Sequence, residues 1–181
     1  KKYASFEEYF SLLSQSMRNK TIKVGLKKGL TLGKEPVTDE LLQEICAIYL
    51  NRQEVRVGTS TLDWACKIIK ELYEKGLLNV YMARKGDEGV GFLVSMLHKN
   101  KQYIWLVAFK QEYKDCFPGQ LLFYQAIKDG FEDGNDAVDF MRGDYDFKMR
   151  WECAIDTNYT VFWSKKWAPY FKKKTVVKWR P

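Results

Sequence analysis

A chain of 181 residues with 46% hydrophobic and 15% aromatic side chains can bury one sizeable core, which excludes intrinsic disorder and leaves little room for two full domains. Its net charge of +7 belongs to its end: residues 165–181 hold seven basic and no acidic side chains, while the first 164 balance at 23 against 23. No apolar run approaches the ~20 residues that span a bilayer, the opening KKYASFEEYF lacks the apolar stretch of a secretory signal, and the first residue is lysine, as in a piece of a longer protein.

Ser5 and Glu8 form a capping-box pattern, and Phe6, Tyr9, Phe10, Leu13 and Met17 then recur at helical spacing. This predicts a helix over 5–19 that extends towards Lys28, with Gly29 as its stop, followed by a break at 33–36. Thr38 is placed to cap a second helix carrying Leu41, Leu42, Ile45, Ile48 and Tyr49. Ser60 and Asp63 start a third, with Leu62, Ala65, Cys66, Ile69, Leu72 and Tyr73 as its stripe and Gly76 as its end.

The period then changes from helical to alternating. NVYMAR, the turn KGDEG and VGFLVSMLHK read as a hairpin, and YIWLVAF (103–109) as a third strand. A polar connection, KQEYKDCFP, feeds a helix from Gly119 with Leu122, Phe123, Ala126, Ile127 and Gly130 on one face, ended by Gly134. DAVDFM (136–141) reads as a strand, DYDFKMRW as a short helix capped by Asp144, and NYTVFW (158–163) as a last strand. The order predicts a mixed α/β fold: a largely antiparallel central sheet flanked by helices, with one crossover helix.

The four cysteines (Cys46, Cys66, Cys116, Cys153) stand singly and His98 is the one histidine. No metal-ligand spacing arises, and Cys-His or Ser-His nucleophilic machinery is nearly excluded. Reduced thiols in a cytoplasmic protein are the plain reading. His98, before KNK, reads as a surface residue.

Asp139 stands on one strand face with Ala137 and Met141, and an ionised carboxylate on a central strand needs a partner. Arg142 or Lys148 can supply it. The residue is then either half of a structural ion pair or a base and anchor for an acceptor amine. Tyr124 reads as a packing residue or as a proton donor to a leaving thiolate. The tail KKKTVVKWRP is a solvated terminus or a contact for a polyanion.

Pro118-Gly119-x-x-Leu122 at a helix start, followed by Asp139-Phe140-x-x-Gly143-Asp144, Lys148 and Trp151, resembles the GNAT-fold acyltransferases. The likeness is to their CelD-type subgroup, associated with cellulose and exopolysaccharide synthesis and similar to the Fem-type peptidoglycan-bridge transferases. It runs from about residue 38 to 164 and includes an Arg56-x-Gly58 segment; Phe147 stands where the family has tyrosine.

The resemblance implies three parts: a linking helix region over 1–33, a GNAT-like domain over 34–164 and a basic tail over 165–181. It implies an acyl-coenzyme A co-substrate, no metal, and a small-molecule or envelope-precursor acceptor. Nucleic acid enters only as aminoacyl-tRNA in the Fem-type variant. The family commonly carries two such domains, of which this chain resembles the second. Donor contacts fall on Lys110, Lys114, Phe117, Gly119 and Gln120, where a helix N-terminus can take a pyrophosphate. The thioester would lie between the strands at 103–109 and 136–141, with Asp139, Arg142, Lys148 and Tyr124 as candidate catalytic side chains. A GNAT-like domain without catalysis is the other class.

Overall fold

A computed structural model describes residues 3–51, 59–143 and 145–155, with backbone alone over 59–63. It divides into a unit up to Arg142 and a second from Gly143. Helix α1 (Phe6–Leu12) starts where the Ser5 hydroxyl accepts the Glu8 N–H at 3.1 Å. It ends early, because Leu13 turns extended and the Ser14 hydroxyl accepts the Met17 N–H, starting a new helix in competition with the old one. A π-helical segment (Ser16–Ile22) and α2 (Lys23–Lys27) follow, so the helix expected to run towards Lys28 is broken at Leu13 and Ser14. The apolar residues chosen for it are nonetheless inside: Phe6 and Tyr9 meet Phe131, and Phe6 and Phe10 meet Tyr124.

Strand β1 (Thr31–Lys34) overlaps the expected break at 33–36. Its four residues pair antiparallel with β2 (Leu78–Lys85), from Thr31 opposite Arg84 to Lys34 opposite Tyr81. So short a strand carries no readable alternation, and the long neighbour defines it. Helix α3 (Asp39–Leu50) is capped by Thr38 as expected. Helix α4 (Thr59–Glu74) ends at Gly76, whose φ of +67° suits glycine.

The sheet continues antiparallel through β3 (Glu88–His98) and β4 (Lys101–Phe109). Helix α5 (Pro118–Glu132) then crosses over to β5 (Ala137–Asp139), parallel to β4. The order β1-β2-β3-β4-β5 is the mixed, largely antiparallel arrangement expected. Among the described residues β5 is an edge, not the central strand anticipated. The expected strand at 158–163, the basic tail at 165–181 and the Arg56–Gly58 segment lie outside the described residues. In the second unit α6 (Asp146–Met149) has Tyr145 at its N-cap with no side-chain bond; Asp144, the expected cap, is also outside.

Alternation along the strands feeds two cores. Val80, Met82, Phe92, Val94 and Ala108 meet Ile45 and Ile48 of α3 and Ile69 of α4. The other face takes Leu121, Leu122, Ala126 and Ile127 of α5. Each such buried aliphatic or aromatic side chain stabilises the fold by ~1.5–3 kcal/mol. Arg84 ties α3 to the sheet: its guanidinium donates to Glu35 (2.6 and 2.7 Å) and to Glu44 (2.9 and 3.2 Å). These two carboxylates raise its pKa above the ordinary arginine value. Among the described residues no helix is long and apolar enough to cross a membrane.

Candidate active site

Strands β4 and β5 pair over three positions, Lys101–Ala137, Gln102–Val138 and Tyr103–Asp139. Beyond that rung β4 continues to Phe109 with no strand against its β5-facing edge among the described residues. Two features part the strands. Between β3 and β4 the register steps from Val94–Leu106 to Ser95–Ile104, so Trp105 is an extra residue in β4. Such a bulge bends its strand and raises its twist. On the other side, Asp139 ends β5 in an Asx turn, its carboxylate accepting the Met141 N–H at 2.6 Å. Phe140 then packs edge-on against Phe123 of α5, ring centres 5.1 Å apart, which draws the chain away from β4.

The loop after β4 delivers the helix start to the same opening. A 3₁₀ turn (Gln111–Cys116) leads to Phe117, held left-handed at φ +57° and ψ +40° as the N-cap of α5. Pro118 opens the helix with its fixed φ, and no side chain caps it. An uncapped helix N-terminus carries partial positive charge and suits an anion. Gly119 is pressed against Phe109, since a Cβ there would sit 3.2 Å from its ring.

Of the expected donor contacts, Lys110 is engaged elsewhere: its ammonium pairs with Glu88 at 2.5 Å. Tyr113 donates to the same carboxylate at 2.7 Å. Lys110 first, then Tyr113, hold the Glu88 carboxyl below its ordinary pKa, and Glu88 pushes the Tyr113 phenol up. Lys114 is exposed and makes no ion pair among the described residues. Phe117 lies under the Lys28 ammonium, 5.8 Å from its ring centre, and Gln120 is half-buried in the first turn.

Of the expected catalytic side chains, Asp139 stands exposed at the vertex where the strands part, and Arg142 is exposed three residues on. The ion pair expected for Asp139 is not formed with any described residue; its role in the fold is the turn. Lys148 belongs to the second unit, where it is buried, its ammonium 5.4 Å from the Tyr145 ring centre. Tyr124 sits in the aromatic cluster with Phe6 and Phe10, ring centres 5.3 and 5.5 Å away. Sequence reading missed the bulge at Trp105, which leaves no local signal, and the Asx turn, which Asp139 before a strand end could have signalled. No group of three or more histidine, cysteine or acidic side chains suited to a metal occurs among the described residues.

The fold has solved relatives. An aminoglycoside acetyltransferase from an uncultured soil metagenomic sample, crystallised with sisomicin, aligns over 78% of this chain and 99% of its own at 14% identity, TM-score 0.57. FemX aligns over 77% of this chain and 51% of its own at 16% identity, TM-score 0.63, so the chain spans about half of FemX. A GNAT acetyltransferase from Staphylococcus aureus Mu50 aligns over 60% of this chain and 72% of its own at 14% identity, TM-score 0.50. At such identities these likenesses carry the fold alone. No curated protein matches the sequence. Residues 15–149, most of the chain, match the family described as "Acetyltransferase (GNAT) domain", and with the parted strands and the helix start beside them, the chain belongs to that family.

Proposed function

We propose that the protein is an acyl-coenzyme A-dependent N- or O-acyltransferase acting in the cytoplasm on an amine or hydroxyl of a cell-envelope or polysaccharide-related acceptor. The observation that carries this reading is the parting of β4 from β5 beyond Tyr103 and Asp139, beside the uncapped start of α5. The acceptor class rests on the CelD-type run from Asp139 to Lys148.

On this reading the α5 N-terminus takes the donor pyrophosphate, with Lys114 adding charge at its rim. The β4 edge past Tyr103 offers backbone N–H groups to the thioester carbonyl, an oxyanion role that needs no particular side chain. Asp139, at the vertex, anchors the acceptor and receives its proton as the nitrogen or oxygen attacks. The acyl carbon bonds to the acceptor, and the carbon–sulfur bond breaks to release the coenzyme A thiolate. Arg142 offsets charge at the mouth, and Tyr124 is the candidate donor of a proton to the thiolate.

A second reading has aminoacyl-tRNA as donor and a further GNAT-like domain as companion. It draws on the alignment to half of FemX and on the basic run of 165–181. Thermal denaturation separates the two. Acetyl- or longer acyl-coenzyme A at millimolar concentration raises the Tm by mass action, and Gly119→Glu removes the shift by steric block and repulsion. A shift with charged tRNA alone would favour the second reading, and no shift with either would leave a non-catalytic domain.

A further inference from the structure

Cys46 of α3 and Cys66 of α4 face each other across the helix interface, their sulfurs 2.9 Å apart, and both are thiols. They line one wall of a cavity of about 120 Å³ that also touches Tyr49, Trp64, Trp105 and Leu106. Both cysteines are half-buried rather than sealed in the core, and Trp64, which lines the same cavity, is 58% exposed. The other two cysteines, Cys116 and Cys153, stand in different parts of the chain, one before α5 and one after α6.

We infer that Cys46 and Cys66 are a reversible dithiol–disulfide site that ties α3 to α4 when oxidised. Bond formation needs the sulfurs to approach by about 0.9 Å, to the ~2.04 Å of a disulfide. Two half-buried side chains on separate helices can make that approach by small rotamer changes. The oxidant is a low-molecular-weight disulfide. One cysteine thiolate attacks it, forming a mixed disulfide and expelling one thiolate. The second cysteine thiolate then attacks the first cysteine's sulfur and expels the other. Two electrons pass to the oxidant, two protons leave the cysteines, and two small thiols are released. A tetrahedral metal site is the competing use of paired thiols. No third histidine, cysteine or carboxylate joins them among the described residues.

The consequence is local. The bond closes a loop that contains residues 51–58, and it fixes the helical wall of a cavity whose opposite wall is Trp105, the bulge residue of β4. Closing a loop of this length raises the Tm by roughly 5–10 °C in a chain of this size.

The test is native oxidation of the intact chain with oxidised glutathione, then alkylation of remaining thiols and peptide mapping. The expected result is a loss of two hydrogens in mass, a peptide joining Cys46 to Cys66, full reversal by dithiothreitol and a raised Tm. Cys116→Ser and Cys153→Ser keep the cross-link, and Cys46→Ser or Cys66→Ser loses it. Mapping on the wild-type chain decides the matter even where a variant folds poorly. Alkylation of both Cys46 and Cys66 after oxidation, stable glutathione adducts on either, or a bridge to Cys116 or Cys153 would overturn the inference.

Discussion

Tyr103 and Asp139 form the last rung of the parallel ladder between β4 and β5. One strand runs on towards the start of α5, and the other turns away at Asp139 itself. The residue that closes the ladder is therefore also the one that stands at the mouth of the opening.

Asp139→Asn separates its two roles. Asparagine keeps an oxygen to accept the Met141 N–H, and the side chain is exposed without an ion pair among the described residues. The change should cost less than ~1 kcal/mol and move the Tm by at most a few degrees. Loss of a base or anchor should lower kcat/KM by about 100-fold or more. Paired denaturation and rate measurements check this; a large fall in Tm with activity retained would leave Asp139 as a structural residue.

Lys110 and Lys114 should differ. Lys110 is committed to Glu88, whereas Lys114 is exposed with no ion pair among the described residues. Lys114→Ala should weaken acyl-coenzyme A about 3- to 10-fold, more at low salt than at high, because exposed charges are screened. Glu88→Gln should release Lys110 and tighten the donor. Titration calorimetry at two ionic strengths reads both; equal effects of Lys110→Ala and Lys114→Ala would count against the assignment.

Gly130 lets α5 approach the sheet. A Cβ there would lie 3.0 Å from a Val138 methyl and 3.1 Å from the Gln102 side-chain oxygen. Alanine is the better helix former by ~1 kcal/mol, yet Gly130→Ala should destabilise by about 1–3 kcal/mol through overpacking against β5. Urea denaturation gives the sign.

Tyr81 predicts alkaline sensitivity. Its phenol is buried beneath α5, and burial, reinforced by Asp129, raises its pKa well above the ordinary value. The unfolded chain releases this proton near pH ~10 and the folded chain higher. Its contribution is therefore complete below pH ~10 and lost as pH rises above it, at up to about 1.4 kcal/mol per pH unit. Tyr81→Phe should flatten the decline in Tm between pH 10 and 11.5. Parallel declines would show that another group is responsible.

Long periodic elements were legible in the sequence: α3, α4, α5 and the strands β2 to β4 stand within a few residues of their expected places. Thr38 and Gly76 marked real helix ends because caps are local chemistry. Strand β1 was not legible, since Thr31–Lys34 becomes a strand through its long partner β2. Nor was the break in the first helix, where Ser14 competes as a new start within an unbroken apolar pattern. The start of α5 at Pro118 and Gly119 was legible from the Pro-Gly pair. The parting of β4 and β5 depends on the register step at Trp105 and on Phe140 meeting Phe123, two contacts between residues distant in the chain. The nearness of Cys46 to Cys66, twenty positions apart, likewise requires the helix pair.

Hydrogen–deuterium exchange with and without acetyl-coenzyme A tests the donor site most directly. Slowed exchange is predicted over residues 104–109 and the first turn of α5 from Gly119, with little change in α3. Protection that leaves 104–121 unaltered, or no protection at saturating ligand, would contradict an acyl-coenzyme A site between β4 and β5.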